Sequence, residues 1–283
     1  MKISLCIAAQ LQNSTVTGGA YNHSEGEYGS VSGGLENHVE AAGYLGSIGG
    51  GDKNTASAVS ASVTGGYGNK ATGRWDSVTG GYENIAGITE ESNALHGANS
   101  VSGGAFNEAT GPGQSWIGGG EYGKASGAHS ALLGGYNGNV SGPNATVSGG
   151  AENTAGGEDA SASGGHLNNA TGKYSSVSGG LEGTAGGEAG SILGGQQDRT
   201  SGEEPTALGG LENEATGRST TIVGGLNNKT AETFTLVAGG GFNEALGFRA
   251  GVLGGELNKA TAEGSWIFGT YSKETKSMRE IIY

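Results

Sequence analysis

The stretch Gly209-Gly-Leu-Glu-Asn-Glu-Ala-Thr-Gly-Arg-Ser-Thr-Thr-Ile-Val223 decides the fold, because copies of it follow one another along most of the chain. From Gly119 onward, each Gly-Gly pair and a last degenerate copy at Gly269 begin 15 residues after the one before. Self-similarity at a fixed period indicates a repeat architecture in which each copy packs on its neighbours. We call each copy a coil and number the first Gly of its pair as position 1.

The composition excludes several classes of protein. The 283 residues include 62 Gly, 3 Pro and 34% hydrophobic residues, which is too few large apolar side chains for a conventional globular core. The formal net charge of -13 comes without any basic cluster, so nucleic acids and anionic membrane surfaces are not expected partners. No apolar run approaches the length of a transmembrane helix, and the only cysteine, Cys6, excludes an intrachain disulfide.

Position 14 carries the inward side chain of a strand. It is β-branched in most coils and lies between polar residues at positions 13 and 15, an alternation typical of a strand with one buried face. Position 7, usually Ala, is a second inward site. We therefore predict a core ladder at position 14 that includes Val31, Val63, Val78, Val101, Val147, Val177, Ile192, Ile222, Val237 and Val252.

Position 5 is Asn in 12 of 16 coils, with Gly or Asp in the others. These three residue types tolerate positive φ, so we interpret position 5 as a turn residue rather than a stacked polar group of the core. The predicted turn residues include Asn54, Asn69, Asn153, Asn213 and Asn243.

Charges support stacking of the coils in register. Position 6 reads Arg199, Glu214, Lys229, Glu244 and Lys259, which alternates in sign as expected for a column of neighbours about 4.8 Å apart. The sequence therefore predicts an all-β fold, a parallel β-solenoid or β-roll of about 17 coils with a 15-residue repeat. We assign residues 14–269 to the solenoid, with a loop insertion near 88–99, residues 1–13 to an N-terminal strand or cap, and residues 270–283 to a C-terminal tail or cap.

Position 15 becomes apolar toward the C-terminal end, and two tryptophans occupy position 13. Both faces of the strand are apolar there, and one thin roll cannot cover both, so we predict a homo-oligomer. The candidate interface residues are Trp116, Leu193, Leu208, Val223, Leu253, Trp266 and Phe268.

Signals for catalysis are weak. The Gly-Gly pairs lack the Gly-Lys-Ser/Thr of a phosphate loop, and the period does not match calcium-binding nonapeptides. Glu90, Glu91 and His96 in the insertion are the densest titratable set, and an enzyme on the solenoid surface would depend on them. We favour a solvated loop there, and we expect no catalytic residues, no metal and no cofactor.

Three stretches, Ser30-Val-Ser-Gly-Gly34, Ser62-Val-Thr-Gly-Gly66 and Ser176-Val-Ser-Gly-Gly180, together with Ala-Thr-Gly at 71–73 and 215–217, carry a family resemblance. They resemble the haemagglutinin-type head repeats of trimeric autotransporter adhesins, and the resemblance covers nearly the whole chain. It implies a left-handed parallel β-roll, a homotrimer and an adhesive role.

The expected function is a non-enzymatic structural or adhesive β-solenoid rod, located at a cell surface or outside the cell. Its expected partners are other copies of itself and a cell-surface glycan or matrix protein, without nucleic acid and without insertion into a membrane. Two alternatives remain open: a subunit of a head-to-tail extracellular filament, and a receptor-binding fibre of a phage or injection machine.

Overall fold

The predicted β-solenoid is confirmed. The computed structural model describes residues 8–9, 12–87 and 97–283, and these residues form short strands and turns without a helix. Parallel strands are stacked in about 17 coils with a repeat of about 15 residues. The chain divides into two compact units, Met1–Asn144 and Ala145–Tyr283.

Each regular coil contributes one strand to each of two parallel sheets. Strands at positions 13 and 14 form the sheet that we call the Val sheet, and strands at positions 6 and 7 form the Ala sheet. Between them, the residue at position 3 makes a single parallel bridge to position 3 of the next coil, as Leu211 does to Leu226. A further backbone hydrogen bond joins position 11 of a coil to position 10 of the preceding coil, as between Ser219 and Glu203, so neighbouring coils are joined at each of these lines.

In the first unit, the Val-sheet strands are Thr15–Val16, Ser30–Val31, Ser47–Ile48, Ser62–Val63, Ser77–Val78, Ser100–Val101, Trp116–Ile117 and Ala131–Leu132. The Ala-sheet strands of this unit are Ala8–Ala9, His23–Ser24, His38–Val39, Thr55–Ala56, Lys70–Ala71, Ile85–Ala86, Glu108–Ala109, Lys124–Ala125 and Asn139–Val140.

In the second unit, the Val-sheet strands are Thr146–Val147, Ser161–Ala162, Ser176–Val177, Ser191–Ile192, Thr206–Ala207, Thr221–Ile222, Leu236–Val237, Gly251–Leu253, Trp266–Phe268 and Ile281–Ile282. Its Ala-sheet strands are Thr154–Ala155, Asn169–Ala170, Thr184–Ala185, Arg199–Thr200, Glu214–Ala215, Lys229–Thr230, Glu244–Ala245, Lys259–Ala260 and Glu274–Thr275.

The core lies between the two sheets, and each regular coil contributes to it one side chain from position 14 of the Val sheet and one from position 7 of the Ala sheet. All ten residues of the predicted ladder at position 14 are at most 1% exposed. Alanines of the facing sheet complete it: Ala215 and Ala245 pack in one cluster with Ile222, Val237 and Val252. Because each coil buries so little apolar surface, polar contacts between coils must contribute to its cohesion.

The prediction that the position-5 asparagines are turn residues with positive φ is wrong. Positive φ falls instead on position 4, for example at Glu152 and Glu212. The asparagines themselves lie outside the left-handed region and are fully buried, including Asn54, Asn69, Asn153, Asn213 and Asn243.

These asparagines form a hydrogen-bonded ladder along the core. Nδ2 of Asn168 donates to the carbonyl oxygen of Gly164 in its own coil (2.8 Å) and of Gly180 in the next coil (3.0 Å). Its Oδ1 accepts the backbone N–H of Gly183 at 2.9 Å. A carboxamide supplies both a donor and an acceptor, which explains why Asn fills most of these sites.

The C-terminal segment 270–283 forms a further coil rather than a tail. Tyr271 bridges Glu256, Glu274–Thr275 pairs with Lys259–Ala260, and Ile281–Ile282 pairs with Trp266–Ile267. At the other end, strand Ala8–Ala9 pairs in parallel with His23–Ser24.

The insertion is only partly described. Residues 97–99 are described and lead into strand Ser100–Val101. Glu90, Glu91 and His96 lie outside the described residues, so the enzyme hypothesis based on them stays a prediction.

Candidate functional site

The outer surface of the Val sheet is free of charge in both units. Positions 13 and 15 flank the buried position 14, and we call the residues at these two positions the uncharged face. In all described Val-sheet strands, no Asp, Glu, Lys, Arg or His occupies either position. Since the chain carries 27 acidic and 14 basic residues, their exclusion from this one surface distinguishes it from the rest.

In the first unit the uncharged face is mostly hydroxylic. Ser30, Ser62 and Ser77 lie at position 13 and Thr64 and Thr79 at position 15, in columns that follow the stacked coils. In one such column, Oγ of Ser77 donates to Oγ of Ser100 at 3.1 Å. The surface offers hydrogen bonds without charge.

Within the second unit, position 15 of this face becomes apolar from Leu193 onward, and here the structure brings most of the predicted interface residues together. Leu193, Leu208 and Val223 occupy position 15 of successive coils and are 52%, 40% and 47% exposed. Leu253 and Phe268 continue the column, and both are partly exposed. A contiguous exposed apolar column of this kind is typical of an interaction surface.

The two tryptophans of the predicted interface belong to different units. Trp116 belongs to the first unit, is 39% exposed, and donates from Nε1 to Oγ of Ser102 at 3.2 Å. Trp266 belongs to the second unit, where its ring lies over Gly251 and beside Phe268, with centroids 6.4 Å apart. Each ring therefore covers backbone or side chains of its own unit as well as facing outward.

Glycines at position 1 extend the uncharged face. A Cβ added to Gly164, Gly179 or Gly194 would meet no atom within 4 Å, and φ at these residues lies outside the left-handed region. At these three residues the fold supplies no steric reason for Gly, whereas Gly239 and Gly254 at the same position have φ of +94° and +86°, a conformation that favours Gly.

Gly at position 2 has an internal reason. Gly165 has φ of +82°, and a Cβ there would lie 2.5 Å from Nδ2 of Asn168 and against the backbone of the next coil. The ladder thus requires Gly at position 2, whereas Gly164, Gly179 and Gly194 at position 1 have open space around them.

The outer surface of the Ala sheet has the opposite chemistry. The alternating charges at position 6 lie in register, and Lys229 and Lys259 approach Glu214 and Glu244 at 2.9 and 3.1 Å. These side chains are 30% to 49% exposed, so solvent screens the attraction and each pair adds little to the free energy of unfolding. The outer surface of the Ala sheet therefore carries charged side chains, whereas the uncharged face of the Val sheet carries none that would repel a second acidic chain.

Among the described residues two carboxylates are buried, and both accept hydrogen bonds from backbone N–H groups. Asp76 accepts the N–H groups of Gly73 at 2.6 Å and Asn99 at 2.8 Å, and burial raises its pKa to about 6. Asp198 occupies a ladder position and accepts the N–H of Asn213 at 2.8 Å, and burial raises its pKa as well. In both cases the carboxylate performs a structural role in the stack.

Within the described ranges, no group of three or more His, Cys, Asp or Glu residues is arranged to hold a metal ion. His23 and His38 lie edge to face with ring centroids 5.9 Å apart.

No helix in the described part of the chain is long and apolar enough to cross a membrane. Neither a scan against protein-family models nor a search of curated proteins finds a match to this sequence.

Proposed function

We propose that this chain is a non-enzymatic structural or adhesive β-solenoid that acts as a homo-oligomer at a cell surface or outside the cell. The observation that carries the proposal is the uncharged face, which excludes every charged residue type from one outer surface of a strongly acidic chain.

A second copy of the chain is the partner that this surface fits. Two molecules of net charge -13 repel each other, so close contact is favoured only where neither presents charge. Covering Leu193, Leu208 and Val223 would remove half-exposed apolar side chains from water. The open glycines at position 1 would let another backbone approach closely.

A trimer is the oligomer that we propose, because the Ser-Val-x-Gly-Gly repeats resemble those of trimeric adhesin heads. An adhesive or structural role suits a chain of uniform coils in which the two carboxylates buried within the described ranges accept backbone N–H groups. A surface location suits the same resemblance.

Sedimentation of the full chain and of a Leu208→Glu variant tests the proposal. We expect an oligomer for the unchanged chain and a clear shift toward monomer for Leu208→Glu, because the variant introduces a charge on the uncharged face. Leu226→Glu is the matched control, since Leu226 is similarly exposed (38% against 40%) but lies at position 3. A monomeric unchanged chain, or equal loss of oligomer in both variants, would contradict the proposal.

A further inference from the structure

Five aromatic side chains form a continuous row on the surface of the first unit. Tyr67, Tyr82, Phe106, Tyr122 and Tyr136 come from five successive coils, and we call them the aromatic ridge. Successive ring centroids are 5.0, 5.2, 5.0 and 6.0 Å apart. Three of the rings, those of Tyr82, Tyr122 and Tyr136, are 43% to 48% exposed.

The ridge follows the line of position-3 bridges. Tyr67, Tyr82 and Tyr136 occupy position 3, whereas Phe106 and Tyr122 occupy position 4. This change of position disguises the row in the sequence, because no single column of the repeat is aromatic throughout. Only the stacking of the coils shows that the rings are neighbours.

The rings do not form one closed stack. Tyr67 and Tyr82 are nearly parallel (8°), as are Phe106 and Tyr122 (4°), but the planes turn by 70° between Tyr82 and Phe106 and by 87° between Tyr122 and Tyr136. At an edge-to-face step, one of the two rings contacts the other only through its edge. The faces of that ring are therefore not covered by the neighbour at this step. Aromatic faces therefore remain available along the ridge.

Polar groups border these rings. The Glu83 carboxylate accepts a hydrogen bond from the Tyr82 hydroxyl, which raises the pKa of that tyrosine. Lys53 Nζ lies 5.4 Å from the centre of the Tyr67 ring. Glu121 and Asn137 adjoin Tyr122 and Tyr136 in the chain. Aromatic faces pack on the C–H faces of sugars, and carboxylate and amide groups bond their hydroxyls.

We propose that the aromatic ridge binds an extended, neutral polysaccharide. An extended glycan advances by about one coil spacing for each sugar, so consecutive sugars can follow consecutive coils, which are about 4.8 Å apart. The net charge of -13 disfavours polyanionic glycans and leaves neutral ones. The inference rests on the adhesive part of the proposed function, to which it assigns a ligand class, and not on self-association.

Retention of the full chain on insoluble cellulose and chitin, and in gels containing a soluble β-glucan, tests the inference, with alginate as the polyanionic probe. We expect binding to at least one neutral polysaccharide and none to alginate. Changing both Tyr82 and Tyr122 to Ala should weaken that binding about tenfold or more. The same change at Tyr28 and Tyr44, an exposed aromatic pair with centroids 5.7 Å apart elsewhere in this unit, should leave it unchanged.

Circular dichroism verifies folding of each variant. If the alanine variant does not fold, Tyr82→Leu with Tyr122→Leu replaces it, since leucine keeps apolar contact but removes the rings. No retention on any neutral probe, retention on alginate alone, or equal binding by ridge and control variants would overturn the inference. Sedimentation of the same samples separates the two proposals, because a monomer that still binds polysaccharide contradicts only the oligomer.

Discussion

Asp198 is an acid in a site built for an amide. Its Oδ1 accepts hydrogen bonds from the backbone N–H and from Nδ2 of Asn213, at 2.8 and 3.0 Å. Its Oδ2 lies beside Gly195, where the ladder asparagines place Nδ2, and it has no hydrogen-bond partner. A proton on Oδ2 would restore a donor there, and burial raises the pKa of this carboxyl in that direction.

Asp198→Asn should therefore stabilise the protein at neutral pH. The folded state holds the proton more tightly than the unfolded state, so the free energy of unfolding falls as pH rises above the ordinary aspartate pKa. We expect a gain of about 1 to 3 kcal/mol at pH 7 and a smaller gain at pH 4, measured by denaturant unfolding. Asn213→Asp should have the opposite effect, and a neutral or destabilising Asp198→Asn would contradict this account.

Asp76 predicts a second component of pH dependence. Burial raises its pKa from 3.8 to about 6, so the folded state binds more protons than the unfolded state between these values. The free energy of unfolding should fall by about 3 kcal/mol as pH rises through this window. Asp76→Asn should remove that slope, whatever its effect on absolute stability, while Asp159→Asn at an exposed aspartate should retain it.

In the Gly-Gly pair at Gly164 and Gly165, the two glycines have different structural roles. Gly165 needs positive φ and has no room for a Cβ, whereas the neighbouring Gly164 has open space. Gly165→Ala should destabilise the chain by about 3 kcal/mol or more, because strain and a clash with the next coil add together. Gly164→Ala should change the free energy of unfolding by less than about 0.5 kcal/mol.

Thermal and denaturant unfolding of the two glycine variants gives this comparison directly. If both substitutions destabilised the chain equally, Gly164 would have an internal role, and the case that it lies in open space beside the uncharged face would fail.

On the Ala sheet, the column of alternating charges should respond to salt. Lys229 lies between Glu214 and Glu244 in adjacent strands, so Lys229→Glu would place three carboxylates in one column. We expect a loss of about 1 kcal/mol at low ionic strength and a smaller loss in 0.5 M salt, since exposed charges are screened. Lys229→Gln, which adds no like charge, should lose less, and a loss that salt does not change would argue against repulsion.

For the whole molecule, charge and self-association are coupled. Copies with net charge -13 repel one another, while the surface proposed to join them carries no charge. Raising the salt concentration from about 20 to about 500 mM should therefore strengthen association, because it screens the repulsion without weakening the contact. Sedimentation at both concentrations provides the measurement, and dissociation at high salt would point to an ionic interface instead.

Sequence reasoning was most effective where one residue type repeats for one reason. β-Branched side chains such as Val177 and Ile192, at the same position of successive coils, predicted the strand, its buried face and the parallel register. The prediction was wrong at Asn153 and its equivalents. Asn is favoured both at turn positions with positive φ and in a hydrogen-bonded ladder, so the residue type alone does not distinguish the two. The carbonyl of Gly165, which accepts a hydrogen bond from Asn153 and distinguishes the two, belongs to the next coil and comes close only when the coils stack.

The sequence by itself determined the period, the two inward positions of each coil and the absence of charge at positions 13 and 15, since these are properties of single positions in a repeat. Only the tertiary structure decided which glycine faces open space, which residue adopts positive φ and which aromatic rings touch. These depend on atoms of neighbouring coils, about 15 residues apart in the chain and about 4.8 Å apart in space.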